Sequence, residues 1–217
     1  MDSPKQNIII TWMPWSGKTT IWRKLKDEIW YNLCDFDNDI LEKISQKTAE
    51  EIIRVLNLKN TGIISEDLVN QKVWDMLKKL WDDKFLELEW FLWKNLVFDE
   101  PTILTTSGSL PMRLDAMSHL RKNWNVIYID IPLDIIKSRL QEMKTERIIW
   151  MWKMTLEEIL EYRHNYYNIT KDFDFKVPDF EARVWKTKEE RAIEKELVFY
   201  KFMGFYRDNV SKVLEAA

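Results

Sequence analysis

The stretch Asn7 to Leu25, NIIITWMPWSGKTTIWRKL, limits the possible folds of this chain more than any other. Asn7 to Thr11 is a short apolar run of β-branched residues, the composition of a buried parallel strand. From Lys18 onward Ile21, Leu25 and Ile29 recur at helical spacing. Strand, loop and helix thus follow in the order of a mononucleotide-binding unit. The loop carries Gly17, Lys18 and Thr19, matching all but the first fixed position of the pattern G-x-x-x-x-G-K-[ST]. In such a loop backbone N–H groups at the helix N-terminus hold phosphate oxygens, the lysine offsets β/γ-phosphate charge, and the hydroxyl ligates Mg²⁺. Trp12, Met13, Pro14, Trp15, Ser16, Gly17, Lys18, Thr19 and Thr20 are therefore the candidate phosphate-binding residues.

The remaining fixed position is Trp12. A glycine is expected there, because the chain turns off the strand and bare backbone must approach the phosphates. Indoles at 12 and 15 are expected to crowd that concavity. The chain holds 12 Trp and 4 Gly, whereas average usage predicts roughly 15 Gly in a chain of this length. The two counts together come close to what glycine alone should reach. Reading Trp12 and Trp15 as glycine gives G-M-P-G-S-G-K-T, a well-formed phosphate loop. The same exchange suits Trp22 and Trp30, where a helix packs on the sheet or ends, and Trp150 and Trp152 in a loop; it makes a turn of Trp124 in "KNWN". This is the pattern of a gene whose UGA codons mean glycine and have been read as tryptophan.

Beyond the loop, Asn32 to Asp35 is a second strand that delivers the acidic stretch "DFDND" at its carboxyl end, where ligands bind in open α/β sheets. Helices are predicted over Ile40 to Val55, Glu66 to Leu80 and Asp83 to Asn95, with the polar link "NLKNTGIIS" marking an insertion. Strands are predicted at Thr102 to Thr106, Asn125 to Pro132 and Phe173 to Val177. Helices follow at Leu133 to Met143, Leu156 to Ile169 and, in one or two pieces, from about Lys188 to Leu214. Lys144 to Thr155 lack a clean period and read as a loop. Strands alternating with helices predict an α/β fold, a parallel sheet between helices.

Composition narrows the function classes. The net charge is −3 with acidic and basic residues interspersed, so nucleic acid is not an expected partner. The single Cys34 excludes an internal disulfide, and two histidines without a cysteine cluster cannot build a zinc site of usual spacing. With no apolar run of membrane-spanning length and no signal-like start, a cytoplasmic location without membrane contact is expected. On either side of Phe36, Asp35 and Asp37 point the same way from a strand end. One carboxylate can help fix Mg²⁺ while the other orients or deprotonates an attacking hydroxyl, a division that suits phosphoryl transfer. The same residues also suit an acidic helix start.

The loop, "DFD", "WDDKFLELE", "TTSGSLP", "VIYIDIPLDIIKSRL", "KTERII" and "EYRHNYY" together resemble the shikimate kinases, small P-loop kinases, over about residues 5 to 180. In detail "DNDILEK", "FLELE", "SGSLPM", "MKTERIIW" and "YRHNYY" are similar to the kinase-like segments of threonine synthase-like proteins, whose glycine after "RIV" falls on Trp150. The resemblance implies a five-stranded parallel sheet with helices on both faces. It further implies one domain over 1–180, with inserted helices at about 57–80, a lid at about 144–155, and a helical extension at 181–217. It implies that Lys18 and Thr19 serve ATP and Mg²⁺, that Asp35 assists the metal, and that Asp37 binds the acceptor hydroxyl as base. By the same resemblance Arg147 closes over the phosphates, and Gly108 and Arg163 meet the acceptor, with Tyr167 packing nearby. Shikimate is the nominal acceptor, which would place the chain in aromatic amino acid biosynthesis, as a monomer or homodimer. Two departures bear on the acceptor: Leu86 stands where shikimate kinases carry an arginine, and Ser107 and Ser109 flank Gly108 where they carry a glycine triplet. Another small hydroxy acid, a nucleotide, or a nucleotide-binding module without turnover are the alternatives.

Overall fold

The computed structural model describes residues 7–13, 19–36, 86, 87, 89, 90, 92, 93, 98–140, 154–178 and 187–215, with residues 19, 20, 138–140, 188, 191 and 215 described by their backbone alone. The predicted helices at 40–55 and 66–80, the insertion at 57–80 and all but the last two residues of the lid lie outside these. The chain divides into two compact units, Met1–Cys34 with Phe98–Ala217, and Asp35–Val97.

The larger unit runs β1 (Asn7–Trp12), α1 (Thr19–Ile29), β2 (Asn32–Asp35, its last residue belonging to the second unit) and β3 (Thr102–Thr105). It continues through α2 (Leu114–Leu120), β4 (Trp124–Asp130), α3 (Leu133–Leu140), α4 (Leu156–Thr170) and β5 (Phe173–Lys176). The path ends with α5 (Lys188–Phe205), a π-helical turn at Tyr206–Ser211, and α6 (Lys212–Glu215). The five strands form one sheet in the order β2-β3-β1-β4-β5, with parallel pairing in register at Ile10↔Thr105, Ile10↔Ile127 and Ile129↔Phe175. Ile8, Ile9 and Ile10 are completely buried, as a central strand covered on both faces requires.

Period-two alternation sorts the sheet into two faces. Ile8, Ile10 and Trp12 share one face with Ile127, Ile129 and Phe175. Helix α5 covers it: Phe175 meets Phe202 edge-on with ring centroids 5.1 Å apart. Helix α1 joins α5 through the Lys24–Glu196 ion pair, and the Lys24 ammonium sits 5.3 Å above the Phe199 ring. The opposite face carries Tyr128, stacked on Tyr167 of α4 at 5.0 Å. Right-handed crossovers explain the split, since β1 connects toward β2 while β3 and β4 connect the other way across the sheet. Buried Val198, Phe199, Phe202, Met203 and Tyr206 give the aromatic tail segment its packing role.

Two expectations about tryptophan need correcting. Trp12 is the last residue of β1, paired with Ile129 and only 2% exposed. Its indole extends the Ile8–Ile10 face, so it is a core ring. Trp124 is not in a turn but opens β4 opposite Asn7, buried and edge-on to Phe98 at 5.5 Å. The turn closes one residue earlier, at 121–123.

In the smaller unit the described residues are Asp35, Phe36 and helical positions between 86 and 93. Leu86, Glu89 and Trp93 are buried at the i, i+3, i+7 spacing of one helix face. Phe36 stacks on Trp93 with centroids 4.5 Å apart and planes 15° from parallel. That contact explains the complete burial of Phe36.

Candidate active site at the carboxyl edge of the sheet

The strand order makes a crevice at the carboxyl ends of β1 and β3, because connections leave these neighbouring strands in opposite directions. Met13, just past β1, is completely buried. Pro14, Trp15, Ser16, Gly17 and Lys18 lie outside the described residues, while Thr19 and Thr20 are the first two residues of α1. At the carboxyl end of β2 stands Asp35, 5% exposed. Asp37 and Arg147 lie outside the described residues.

Past β3 the chain continues the crevice wall. Thr106 donates its backbone N–H to the Ile10 carbonyl at 3.4 Å, tying the β3 end to β1. Ser107 and Ser109 are both buried, and their hydroxyls lie 3.2 Å apart. The two serines that flank Gly108 therefore hold their hydroxyls against each other. Pro111 then sits in a single 3-10 turn at Leu110–Met112 before α2.

Helix α4 closes the other side. The Tyr167 hydroxyl donates to the Gly108 carbonyl at 2.8 Å, bringing the segment after β3 and the middle of α4 together. Arg163 lies one turn earlier on the same helix face and is 3% exposed, so it is not the surface arginine that a helical charge usually is. Gly108, Arg163 and Tyr167, singled out from separate segments of sequence, thus converge in one place. The Thr155–Glu158 capping box begins the helix just past the predicted lid.

Sequence reasoning passed over a neighbouring cluster. Tyr128 Oη lies 3.2 Å from His164 Nδ1, Asp130 Oδ1 lies 3.8 Å from the same nitrogen, and Lys171 Nζ sits 5.7 Å above the Tyr128 ring. Burial, followed by the charge of Asp130, pushes the Tyr128 hydroxyl well above the usual tyrosine range. It therefore keeps its proton at ordinary pH. The available sequence signal was the alternation of "VIYID", which turns Tyr128 and Asp130 to one face. Thr106 was read only as a strand end.

Known proteins are similar to this chain in sequence and in fold. Threonine synthase-like 1 of Mus musculus is 34% identical over 144 residues, which are 66% of this chain and 16% of that protein. This chain accordingly spans less than a fifth of that relative's length. Shikimate kinase of Clostridium botulinum (strain Loch Maree / Type A3) is 25% identical over 135 residues, 62% of this chain and 65% of the relative. Among solved structures, shikimate kinase from Acinetobacter baumannii in complex with shikimate superposes with a TM-score of 0.57 at 15% identity, covering 96% of this chain and 97% of that one. It shares the fold. A sequence profile described as shikimate kinase matches residues 56–188, more than half of the chain, and the chain therefore belongs to the shikimate kinase family.

Proposed function

We propose that the protein is an ATP-dependent kinase that transfers the γ-phosphoryl group to an alcohol of a small hydroxy acid, nominally shikimate to shikimate 3-phosphate. The observation that carries this reading is the junction of α4 with the segment after β3. A buried guanidinium at Arg163 lies on the same helix face as Tyr167, which is bonded to Gly108. A guanidinium fork suits a carboxylate bidentately, and Gly108 leaves the acceptor ring a stretch of bare backbone.

The family implies ATP and Mg²⁺, and the described residues fit a magnesium-bound phosphate. Asp35, at the carboxyl end of β2, carries a buried carboxylate, an oxygen donor of the kind Mg²⁺ takes. Thr19 and Asp35 would hold the metal, which would supply charge neutralisation at the donor phosphates. Lys18 and the loop amides hold the donor phosphates, and Arg147 closes over them. Asp37 accepts the hydroxyl proton as the acceptor oxygen bonds to the γ-phosphorus, while the bond to the β,γ-bridging oxygen opens to release ADP. Positioning and charge neutralisation account for most of the acceleration. Leu86 stands where shikimate kinases carry an arginine, so the acceptor carboxylate is left to Arg163.

The functional chain carries glycine where UGA codons have been read as tryptophan. Support comes from Trp30: it follows the last residue of α1 with φ 59°, donates its N–H to the Lys26 carbonyl at 3.0 Å, and leaves its indole 92% exposed. Left-handed backbone directly after a helix is the glycine position of helix C-termini. UGG codons at 12, 15 and 22 would sink this part of the reading.

The activity test is ADP release with shikimate and a panel of other small hydroxy acids, using the chain made with glycine at the twelve positions. Phosphorylation of shikimate is the expected result. Nucleotide binding without turnover on any acceptor would instead indicate a binding module.

A further inference from the structure

Helix α4 turns two rows of side chains inward. Arg163, Tyr167 and Thr170 form the buried row, and from it Tyr167 reaches Gly108. His164, Asn168 and, just past the last residue of the helix, Lys171 form the neighbouring row at the same i, i+4, i+7 spacing. This second row closes on one side chain of the sheet, Tyr128 of β4. His164 Nδ1 lies 3.2 Å from its Oη, with the ring centroids 6.1 Å apart. The Lys171 ammonium sits over the Tyr128 ring and donates to Asn168 Oδ1 and Asp174 Oδ2, each at 2.7 Å. Tyr167 of the first row stacks on the same ring, its plane 24° from parallel. Both rows of α4 are thus fixed at Tyr128.

Packing alone does not require polar groups here. Phenylalanine at 128 and leucine at 164 would fill comparable space and bury no hydroxyl or ring nitrogen. What the polar pair adds is direction. Apolar contacts tolerate a small roll of a helix about its axis, whereas a hydrogen bond weakens steeply off its line. A guanidinium lies roughly 8 Å from its helix axis, so a roll of about 10° carries it by about 1.4 Å. A bidentate fork loses its alignment on a carboxylate over that distance. His164 directly follows Arg163, so its bond to Tyr128 acts one residue from the guanidinium.

We propose that Tyr128 and His164 are positioning residues for the acceptor: their bond sets the roll of α4, and with it the aim of Arg163 at the acceptor carboxylate. The inference rests on the kinase reading and on Arg163 as the carboxylate's partner. Neither Tyr128 nor His164 need touch a substrate.

The test is steady-state kinetics with Mg²⁺-ATP and shikimate, or whichever carboxylate acceptor of the panel turns over, on the full chain in its glycine form. The variants are Tyr128→Phe, His164→Leu, His164→Asn, and Tyr128→Phe in an Arg163→Ala background, with thermal unfolding followed alongside. Tyr128→Phe keeps the ring stack and removes the bond, and should raise KM for the acceptor about fivefold, the worth of one hydrogen bond. The kcat and the KM for ATP should stay within about twofold, because an interaction equal in ground and transition states moves KM alone. His164→Leu should match it. His164→Asn, whose amide can accept or donate where Nδ1 stood, should restore most of the loss. In the Arg163→Ala background Tyr128→Phe should change kcat/KM by less than about twofold, since the guanidinium to be aimed is gone. An unchanged acceptor KM in Tyr128→Phe overturns the proposal. So does a loss of full size in the Arg163→Ala background, or an equal rise of both KM values with a lowered melting temperature. Turnover confined to acceptors without a carboxylate overturns the inference while the kinase reading stands. A parent without turnover on any acceptor overturns both.

Discussion

Helices α1 and α4 flank opposite faces of the same sheet, yet their local chemistry differs. Helix α4 is consistent throughout: it opens with a capping box, Thr170 Oγ1 donates to the Tyr166 carbonyl, and Asn168 donates to the His164 carbonyl. Its inward side chains reach Gly108 and Tyr128. Helix α1 packs equally well through Ile21, Trp22 and Leu25, but its two tryptophans sit badly. The Trp22 indole N–H is buried with no partner among the described residues, and Trp30 exposes its ring from left-handed backbone. A sequence selected for its fold agrees with its backbone locally as well as globally. In α1 the disagreement falls on Trp22 and Trp30, which supports a reading error at those two positions.

If α4 is the acceptor-binding helix, its largest effect on activity should come from Arg163. Arg163→Ala should lower kcat/KM for a carboxylate acceptor by about a hundredfold, since removing one partner of a buried charged pair costs roughly 2–5 kcal/mol. Arg163→Lys should recover only part of this, because an ammonium lacks the planar fork. Steady-state kinetics at varied acceptor concentration checks both. A loss equal for acceptors with and without a carboxylate would show that Arg163 only supports the helix.

The next effect belongs to α1. Trp30→Gly should stabilise the protein by about 1 kcal/mol, because an L-residue in left-handed backbone costs roughly 1–2 kcal/mol that glycine avoids. Trp30→Ala removes the indole but retains the Cβ, and should give little of that gain. Chemical denaturation of the three proteins separates backbone strain from ring exposure. Equal stabilisation by alanine and glycine would remove Trp30 as support for recoding.

How much of this was legible in the sequence follows the range of the interactions involved. Strand β2 falls on its predicted residues, β1, β4 and α4 lie within a residue or two of theirs, and α5 begins at the predicted Lys188, because hydrophobic period and turn residues are local signals. Gly108, Arg163 and Tyr167 were reachable through family resemblance, although burial of Arg163 depends on how α4 lies against the sheet. The Tyr128–His164–Asp130 cluster was not visible. A contact between a tyrosine and a histidine 36 positions away exists only once β4 and α4 are packed. Trp12 and Trp124 were misjudged for a related reason: an indole expected in a loop or turn is accommodated when its strand extends one residue further and turns it inward.

Gly204 provides the converse of Trp30. It lies within α5, and a Cβ added there meets nothing within 4 Å. Gly204→Ala should therefore stabilise by about 0.5–1 kcal/mol, the usual helix-interior difference, and raise Tm by about 2 °C. Glycine stands here where the backbone does not require it, as ordinary drift allows. An unchanged or lowered Tm would mean that α5 uses the missing side chain, for example to admit a neighbour in an assembly.

The smallest effect tests the order at the start of α4. Glu158 accepts from the Thr155 backbone N–H at 2.7 Å and from the Thr155 hydroxyl at 2.9 Å, and these bonds, the backbone one first, hold its carboxyl below the usual glutamate range. A carboxyl depressed in the folded state stabilises the fold above its unfolded pKa, and that contribution is lost as pH falls through the folded value. The parent should therefore lose stability on acidification below the ordinary glutamate range, and Glu158→Gln should flatten that part of the profile while leaving neutral-pH stability nearly unchanged. Denaturant midpoints measured from pH 6 downward resolve the difference. Parallel acid limbs would show that Glu158 is a solvated surface charge, and that α4 starts no more tightly than α1 ends.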